Sequence, residues 1–523
     1  MTRQIVLIGA GQASASAART LRKLEFPGDI VIVGDEAHAP YQRPPLSKEF
    51  LQGVSGPDDL WSASLDWYSD HNVKLQLGTR ALRADKASRE VELDTGARLK
   101  AESILIATGG QARKFPGAAS ESLLYLRTLE DAKRLRERIR PGCRVLIVGA
   151  GFIGSEIAAS ARALGAEVTM LEMLKSPLER VLGETLGSVC AAIHWENGVD
   201  LRCGVAIKSI ADAGRGVLVE THDGQTFAGD VAVVGIGIVP NVDFAKATEI
   251  TVGNGIRVDE FCRTTAAGIY AAGDVANHYH PLFDQRMRVE HFDNATRQGA
   301  AAAMNMLGIR TPYDDPHWFW SDQYGHSLQY VGHATAWDQV VIRGSMDDRD
   351  FIAFYLNRGR IAAAFALNRG GDILTVKALL AAKVEVDPQT LHDEEVDLGE
   401  WVPGQPSVAD AAGDALEAAR DGDFIRTARS GQVPEGWVRR FVVAGTEVAV
   451  ARTGGKVYAL HNLCTHLACH LSAGRVEKDG LTCLCHGSIF DLATGAPVNP
   501  PATRPVKTYP VRESDGYIYV AVK

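Results

Sequence analysis

The sequence contains no uninterrupted apolar stretch of the ~18 residues that a membrane-spanning helix needs. Basic residues number 55 against 64 acidic ones, and the net charge of −9 argues against nucleic acid as the main partner. An apolar strand pattern begins within the first few residues, so we expect no signal peptide. The composition is typical of a globular protein, and we expect a cytoplasmic location without membrane contact.

Cysteine is scarce, with eight residues among 523, and its distribution is uneven. Four cysteines stand singly in the first half of the chain, as expected of reduced thiols. The other four fall within the last 60 residues, which indicates a separate C-terminal module. The chain is also too long for a single core, so we expect three or four domains.

The segment RQIVLIGAGQAS, at residues 3–14, predicts a buried strand that turns through glycines into a helix. Gly9 permits the tight turn, and Gly11 lets the backbone approach a pyrophosphate at the helix N-terminus. Ser14 replaces the third fingerprint glycine, and we expect this departure to loosen the packing slightly. Asp35 follows the next strand, where a carboxylate can accept hydrogen bonds from a ribose diol.

The same pattern returns in full at residues 143–173, and this repetition makes the signal specific. Gly149, Gly151 and Gly154 complete the GxGxxG fingerprint, and Glu172 closes the second strand. A carboxylate at that strand end accepts hydrogen bonds from a free 2′-hydroxyl and repels a 2′-phosphate, which favours NADH over NADPH. The alternative is a structural α/β turn that binds no ligand.

Two further glycine turns indicate how the two units are connected. ILIATGG at 104–110 and TTAAGIYAAGDVA at 264–276 resemble the pieces that complete an FAD domain in two-dinucleotide flavoproteins. In that family, the aspartate of the GD turn, here Gly273-Asp274, holds the ribityl chain of the flavin. The resemblance implies a split FAD domain with an NADH domain inserted into it, and VVGIGIVPN at 233–241 would mark the return of the chain.

Longer motifs resemble those of the oxygenase-coupled NADH:ferredoxin reductases, the putidaredoxin reductase and biphenyl dioxygenase ferredoxin reductase type, over roughly residues 3–400. The motifs are PYQRPPLSKEFL at 40–51, YLRTLEDA at 125–132, RVEHFDNATRQG at 288–299 and HWFWSDQYGHSLQYVG at 317–332. The implied fold is a glutathione-reductase-like α/β flavoprotein followed by an α/β C-terminal reductase domain. Disulfide reductases on this scaffold carry a CxxxxC pair where this chain has QRPPLSK, so electrons must leave the flavin by another route.

The resemblance also implies roles for individual residues. Lys48 would lie beside flavin N5, paired with Glu156, where a cation stabilises negative charge on the reduced flavin. The alternative is a solvated Lys48 that follows a helix cap at Ser47. Trp320 would pack near the flavin and help electrons to leave, or belong simply to the core. The residues placed in contact with FAD are Ala13, Asp35, Lys48, Ala81, Arg127, Asp274 and Phe292.

The tail differs in character from the rest of the chain. EWVPGQPSVADAAGDALEAARDGD, at residues 400–423, predicts a linker of moderate stiffness. The apolar–polar alternation of residues 437–460, with its TGGK turn, predicts a β-meander, and residues 503–523 add a hairpin through Ser-Asp-Gly. We therefore predict a small all-β domain at the C-terminal end.

This domain contains two Cys–His pairs, Cys464-x-His466 and Cys483-x-x-His486. Zinc could be held by such a set, but zinc fingers pair like with like, whereas each loop here supplies one thiolate and one imidazole. That division is typical of a Rieske [2Fe–2S] centre, and the flanking LSAG and HGSIFDLATG resemble Rieske ferredoxins closely. A zinc site or an empty site is the alternative.

Cys469 and Cys485 exceed the ligand count. By resemblance to the Rieske protein of the respiratory cytochrome bc complex, they would form a disulfide between the two loops; a pair of reduced thiols is the alternative. In the same resemblance, Ser488 keeps a hydrogen-bond donor to a cluster sulfur, while Phe490 replaces a tyrosine and loses one. We therefore expect a reduction potential between the ferredoxin and respiratory types. NHYHP, at 277–281, is predicted to be a loop without a metal.

The predicted function is that of an NADH:ferredoxin oxidoreductase with FAD, NADH and a Rieske cluster, which supplies single electrons to a terminal Rieske-type oxygenase or a cytochrome P450. An NADH oxidase or small-molecule reductase and a redox sensor similar to apoptosis-inducing factor are the alternatives. The predicted boundaries are 1–113 and 241–320 for the FAD domain, 114–240 for the NADH domain, 321–400 for the C-terminal reductase domain, 401–423 for the linker and 424–523 for the Rieske domain.

Overall fold

The computed structural model forms two compact units, which are described separately. The first comprises residues 1–337 and 346–349, and the second comprises residues 338–345 and 350–523. The residues that the structure describes are 3–118, 120–214, 216–396, 398–402, 420–465, 470–477, 480–483, 488–499, 502 and 504–522. Among them, no helix has the length and apolar character needed to cross a membrane.

The helices are numbered in chain order, and most belong to the first unit. They are α1 (Gln12–Lys23), α2 (Leu65–Asp70), α3 (Leu129–Arg138), α4 (Phe152–Ala163), α5 (Glu179–Glu196), α6 (Asp243–Ala247), α7 (Phe292–Met306), α8 (Gly370–Ala381) and α9 (Pro388–His392). Short 3₁₀ turns occur at Pro44–Ser47, Pro57–Leu60, Gly273–Val275, Leu398–Trp401, Ser430–Gln432 and Leu471–Ala473.

Two five-stranded parallel sheets form the centre of the first unit. Their central strands are apolar and almost completely buried, as expected of parallel sheets with both faces covered. In spatial order, the first sheet contains Ile269–Ala271, Ser103–Ile106, Gln4–Ile8, Asp29–Val33 and Val73–Gln76. The second contains Asp200–Arg202, Glu167–Leu171, Arg144–Val148, Val231–Val234 and Leu123–Leu124.

The second sheet is inserted in the chain between two strands of the first, which confirms the predicted fold class. The chain leaves through Gly110–Ala112 and returns through Ile238–Pro240, and these two strands pair antiparallel. The return falls within the stretch that the sequence indicated. The predicted domain boundaries themselves stay predictions.

Smaller elements complete the first unit; their strands pair antiparallel, except that Gly255–Val258 and Ala276–His280 pair parallel. They are the meanders Ala81–Asp85, Glu90–Leu93, Arg98–Lys100 and Ile207–Asp212, Val217–Thr221, Thr226–Gly229, the hairpin Trp318–Gln323 with His326–Gly332, and a sheet of Val252–Gly253, Gly255–Val258, Ala276–His280 and Gln285–Met287. The prediction of a loop at 277–281 was wrong, because most of that segment lies in the strand Ala276–His280. Its alternating side chains are all at least half-buried, so it lacks the polar face by which a short strand is usually recognised.

The second unit begins with the antiparallel meander Gln339–Ser345, Asp350–Asn357 and Arg360–Leu367, after which α8 and α9 follow. Its all-β part contains three four-stranded sheets. Their strands are Arg420–Asp421, Phe424–Arg429, Tyr517–Val520 and Val511–Ser514; Val438–Val443, Thr446–Thr453, Lys456–His461 and Thr508–Tyr509; Arg475–Glu477, Gly480–Thr482, Ile489–Phe490 and Pro497–Asn499.

Two predicted hairpins of the tail are present. Gly454 and Gly455 have φ of +59° and +72°, and Asp515 and Gly516 have φ of +55° and +78°. Two successive residues with positive φ form the turn that matches the twist of antiparallel strands, and it favours glycine and aspartate at these positions. Residues 403–419, which form most of the predicted linker, lie outside the described residues.

Gly154 provides a test of the packing between α4 and its sheet. A Cβ on Gly154 would lie 2.1 Å from the Gly149 carbonyl oxygen, whereas a Cβ on Gly151 would meet nothing within 4 Å. We expect Gly154→Ala to destabilise the first unit by about 1–3 kcal/mol, measured as a fall in the thermal unfolding midpoint of the flavin-containing protein. Gly151→Ala is the matched control and should shift the midpoint far less; equal shifts would contradict the packing argument.

Candidate nucleotide and iron–sulfur sites

The first glycine loop has the geometry that a pyrophosphate needs. Gly9 has φ of +106°, and its Cα lies so close to the Ala107 carbonyl that any Cβ would be 2.2 Å from that oxygen. Gly11 caps the N-terminus of α1 without a side-chain hydrogen bond, and the space where its Cβ would stand is open. The buried Ser14 hydroxyl also has no partner among the described residues. An open helix N-terminus is the backbone arrangement that binds a dinucleotide phosphate.

Several of the predicted FAD contacts lie together around the Gly273 turn. Gly273 has φ of +77°, and a Cβ on it would be 3.2 Å from that of Ala13. The Asp274 carboxylate pairs with the Arg127 guanidinium at 2.6 Å, and Arg127 Nε also donates to the Gly110 carbonyl. The structure therefore brings together residues from three segments that lie far apart in the sequence.

Apart from Lys48, the remaining predicted FAD contacts lie in two places. Phe292 contacts Trp320 edge-on, with ring centroids 5.9 Å apart, and Trp320 stacks on Trp318. Asp35 is 65% exposed, with its carboxylate 3.6 Å from Arg80, and the preceding Gly34 lies against Ala10 of the glycine loop. Ala81 begins a strand next to Arg80.

The second glycine loop repeats the first and adds an ordered carboxylate. Gly149 has φ of +99°, and a Cβ on it would lie 2.6 Å from the Gly235 carbonyl oxygen. Glu172 accepts hydrogen bonds from the backbone N–H groups of Ala150 and Leu174, at 2.7 and 2.8 Å. The backbone thus holds the carboxylate at the mouth of the loop, where a ribose would bind. Lys175, the nearby cation, pairs with Glu184 instead.

The predicted ion pair between Lys48 and Glu156 is present. Lys48 Nζ lies 2.8 Å from Glu156 Oε2, and both side chains are more than nine-tenths buried. Glu156 also accepts hydrogen bonds from the Ser47 and Ser321 hydroxyls, at 2.5 and 2.7 Å. Lys48 further donates to the Pro44 carbonyl. This geometry is incompatible with the alternative of a solvated Lys48.

Sequence reasoning missed Asp322, which lies next to this pair. Asp322, Lys48, Gln52 and Tyr324 line a cavity of about 450 Å³. Burial raises the pKa of the Asp322 carboxyl to about 6, against an opposing effect of the Lys48 cation. The residue belongs to the motif HWFWSDQY, but only the fold shows that its carboxyl is largely buried near Lys48.

The two predicted cluster ligands that the structure describes are buried thiols in one core. Cys464 and Cys483 are 4% and 1% exposed, and both belong to the hydrophobic cluster that contains Phe490. Ser488 is buried as well; its hydroxyl oxygen accepts a hydrogen bond from the Ala502 N–H, which leaves the hydroxyl hydrogen for another acceptor. This donor chemistry fits an iron–sulfur cluster. The other predicted ligands and the predicted disulfide, at His466, His486, Cys469 and Cys485, lie outside the described residues.

Asn462 organises the start of the first cluster loop. Its side-chain oxygen accepts from the Ser472 N–H, its backbone carbonyl accepts from the Leu471 N–H, and its side-chain amide donates to Glu447. The loop that begins at Cys464 is therefore closed at its base by one buried asparagine.

The pKa of Asp322 leads to a prediction about stability. A carboxyl whose folded-state pKa is raised from 3.8 to about 6 stabilises the fold while it is protonated, and this contribution of about 3 kcal/mol is lost as the pH rises from about 4 to 6. Asp322→Asn is neutral at every pH. We therefore expect the unfolding midpoint of this variant, relative to wild type, to be higher by a few degrees at pH 8 than at pH 5.

The control for this comparison is Asp58→Asn, which neutralises an exposed carboxylate. It should leave the difference from wild type equal at the two pH values. An Asp322→Asn difference that is also independent of pH would show that the carboxyl is ionised in the folded protein throughout this range.

Comparison with known proteins agrees with this geometry. The ferredoxin–NAD(+) reductase component of the anthranilate 1,2-dioxygenase system of Burkholderia cepacia is 40% identical over 397 residues, 75% of this chain and 98% of the relative. Putidaredoxin reductase of Pseudomonas putida is 34% identical, over 76% of this chain and 96% of the relative.

Solved structures give the same result. The reductase in the covalent putidaredoxin reductase–putidaredoxin complex matches with a TM-score of 0.74 at 33% identity, over 79% of this chain and 99% of the other. The ferredoxin reductase for the CYP199A2 system of Rhodopseudomonas palustris also matches with a TM-score of 0.74, at 36% identity, over 76% and 99% of the two chains.

Three family models match in order along the chain. Residues 3–299 match the pyridine nucleotide-disulphide oxidoreductases, residues 318–402 the reductase C-terminal domain, and residues 423–510 the Rieske [2Fe–2S] domain. The cofactors are accordingly FAD, NADH and a [2Fe–2S] cluster. The chain belongs to the pyridine nucleotide-disulphide oxidoreductase family, as a ferredoxin–NAD(+) reductase of the putidaredoxin reductase type that carries its own Rieske domain.

Proposed function

We propose that this chain delivers electrons from NADH to a terminal oxygenase, either a Rieske-type dioxygenase or a cytochrome P450, with its Rieske domain in the place of a separate ferredoxin. The observation that supports this proposal most directly is the buried pair of thiols, Cys464 and Cys483, in a domain that follows a complete reductase. When bound, FAD accepts a hydride from NADH, and the cluster carries single electrons. The relatives named above belong to dioxygenase and P450 systems, which supports this class of acceptor.

The residues around the predicted flavin site supply charge and exclude water. Lys48 places a fixed cation in a buried position, where it counts for more than in solvent because the local dielectric is low. Glu156 and the Ser47 and Ser321 hydroxyls hold that cation in place. A second carboxyl, on Asp322, is protonated below about pH 6 and then adds no negative charge beside Lys48. We infer that Lys48 favours the negatively charged, reduced state of the cofactor.

A carboxylate held by the backbone discriminates between NADH and NADPH. The Glu172 carboxylate is fixed at the second glycine loop by two backbone N–H groups, so it can accept from ribose hydroxyls and repels a 2′-phosphate. This supports NADH, rather than NADPH, as the electron donor. Fusion of the Rieske domain replaces a bimolecular encounter by an effective concentration on the order of mM.

The test of this function is anaerobic addition of NADH to the purified chain, with the visible spectrum followed beside low-temperature EPR. We expect the rhombic Rieske signal to appear as the flavin absorbance bleaches, at a rate that does not depend on protein concentration. Cys483→Ser should lose the EPR signal and retain flavin bleaching and NADH–ferricyanide activity. It removes one cluster ligand without touching the nucleotide loops.

Other outcomes would favour the other functions. One such outcome in wild type is a flavin that bleaches while the cluster gives no EPR signal. If O₂ admitted afterwards then reoxidised the flavin rapidly without any protein acceptor, the result would indicate an NADH oxidase. A long-lived complex of reduced flavin with NAD⁺, with slow turnover, would indicate a redox sensor. Either result would contradict the proposed electron route.

A second prediction concerns Lys48. Lys48→Met should slow flavin reduction by NADH at least ~10-fold with little change in NADH affinity, because a preorganised charge is lost; stopped-flow absorbance measures both. This variant leaves Glu156 buried without its cation, which costs about 3–5 kcal/mol of stability. The double variant Lys48→Met/Glu156→Gln removes both charges and restores stability. It should remain slow, and a double variant as fast as wild type would show that the pair is only structural.

A further inference from the structure

Three buried histidines lie together in the first unit, away from both glycine loops in the sequence. His278 and His280 alternate on the strand Ala276–His280, so their side chains project to the same side. His317 directly precedes the strand Trp318–Gln323. All three are buried, with 0%, 0% and 4% exposure, and one ring nitrogen of each lies within 4.8 Å of those of the other two.

Neighbouring acceptors fix the tautomers of two of these rings. His280 Nε2 lies 3.1 Å from the Asp315 backbone carbonyl oxygen, which can only accept, so Nε2 carries the hydrogen and Nδ1 the lone pair. His317 Nε2 lies 2.8 Å from the Met287 thioether sulfur, which leaves its Nδ1 with the lone pair in the same way. Ligating histidines show this pattern, with the second ring nitrogen held by a backbone carbonyl or a similar acceptor.

The remaining ring nitrogens have no partner among the described residues. They are His280 Nδ1, His317 Nδ1 and both nitrogens of His278. Unpartnered polar atoms are costly to bury, and ring packing does not satisfy them. Burial also lowers the pKa of His278 to about 3 and those of the other two below their usual range, so the rings are neutral. Neutral imidazole is the form that binds a metal.

We propose that His278, His280 and His317 form a three-imidazole site for a transition-metal ion with a filled d shell, Zn²⁺ or Cu⁺, separate from the Rieske centre. Imidazole nitrogen suits both ions, and neither ion imposes a d-electron geometry on its ligands. Bonds of about 2.0–2.1 Å would draw the three nitrogens together. Asp315 supplies a backbone carbonyl, while its carboxylate pairs with Arg297 at 3.1 Å. The Met287 thioether adds a soft neighbour that suits Cu⁺.

The position of the site indicates a structural role. The strand Ala276–His280 follows the 3₁₀ turn at Gly273–Val275 without a gap, and this turn contains Asp274. On the other side, His317 leads into the strand that contains Trp320 and Ser321. A metal at the three imidazoles would therefore tie the predicted ribityl-binding turn to the strand that supports Glu156.

The test uses the full chain with FAD bound and the cluster fully loaded, so that added metal cannot occupy the Rieske ligands. The protein is exposed to one metal at a time, Zn²⁺ or, anaerobically, Cu⁺, passed over a desalting column and analysed for metal content. We expect about one equivalent of one of the two ions beyond the cluster iron. X-ray absorption at the edge of that metal should show imidazole nitrogens at about 2.0 Å.

His278→Phe keeps a buried aromatic ring and removes both unpartnered nitrogens, and it should retain less than a fifth of the metal. His222→Phe changes an exposed histidine outside the three-histidine site. It is the matched control and should retain as much metal as wild type. The metal should raise the thermal unfolding midpoint of wild type and of the control by several degrees, and that of His278→Phe by none. FAD content verifies that each variant is folded.

His317→Phe provides a second, independent removal if His278→Phe does not fold. Retention of zinc alone or copper alone identifies the ion. The proposal would be overturned if wild type retained neither ion. It would also be overturned if wild type and the two histidine variants, His278→Phe and His317→Phe, retained equal amounts. A retained metal without imidazole scattering would do the same.

Discussion

The arrangement of the flavin side of this protein depends on one buried ion pair, between Lys48 and Glu156. Removing two charges from water is expensive, and their attraction repays this only when the remaining hydrogen-bonding capacity is satisfied. Here the Ser47 and Ser321 hydroxyls and the Pro44 carbonyl complete the shell. The pair therefore persists as a fixed pair of charges in the interior.

The same pair joins three distant parts of the chain. Lys48 follows a short 3₁₀ turn after the first nucleotide unit, Glu156 lies in the helix of the second glycine fingerprint, and Ser321 lies in the hairpin that carries Trp320. Because a buried charge cannot lose its partner cheaply, these segments are held in one relative position. The helix that receives the NADH pyrophosphate is thus linked mechanically to the residue predicted beside the flavin.

The C-terminal β domain provides the electron-transfer group that the reductase part lacks. There is no CxxxxC pair after the first nucleotide unit, so no dithiol can carry electrons away from the flavin. The chain instead continues into a β domain in which two buried thiols share one core and Asn462 closes the base of the first cluster loop. Two hydrophobic clusters form the core of this domain, one around the two thiols and Phe490 and the other around Val448 and Ile518.

The sequence by itself determined the elements whose signals are local. Short patterns predicted the two strand–glycine–helix units, the Gly454–Gly455 and Asp515–Gly516 turns and the Cys–His pairs. Each reflects a physical requirement of a few neighbouring residues, such as a positive φ or an open helix N-terminus. The insertion of one nucleotide domain into the other was predicted only from the family resemblance. The family resemblance added the pairing of Lys48 with Glu156, across more than a hundred residues.

Only the tertiary structure decided what depends on burial and on distant neighbours. The raised pKa of Asp322 follows from its depth beside Lys48, and no spacing in its motif reports that depth. The histidines of NHYHP had no ligand partner nearby in the sequence, yet the fold places His317 against them. The strand Ala276–His280 and the segment that contains His317 are adjacent in space but not in the chain, so no local sequence pattern reveals their contact. Chemistry that arises at such contacts becomes visible only after folding.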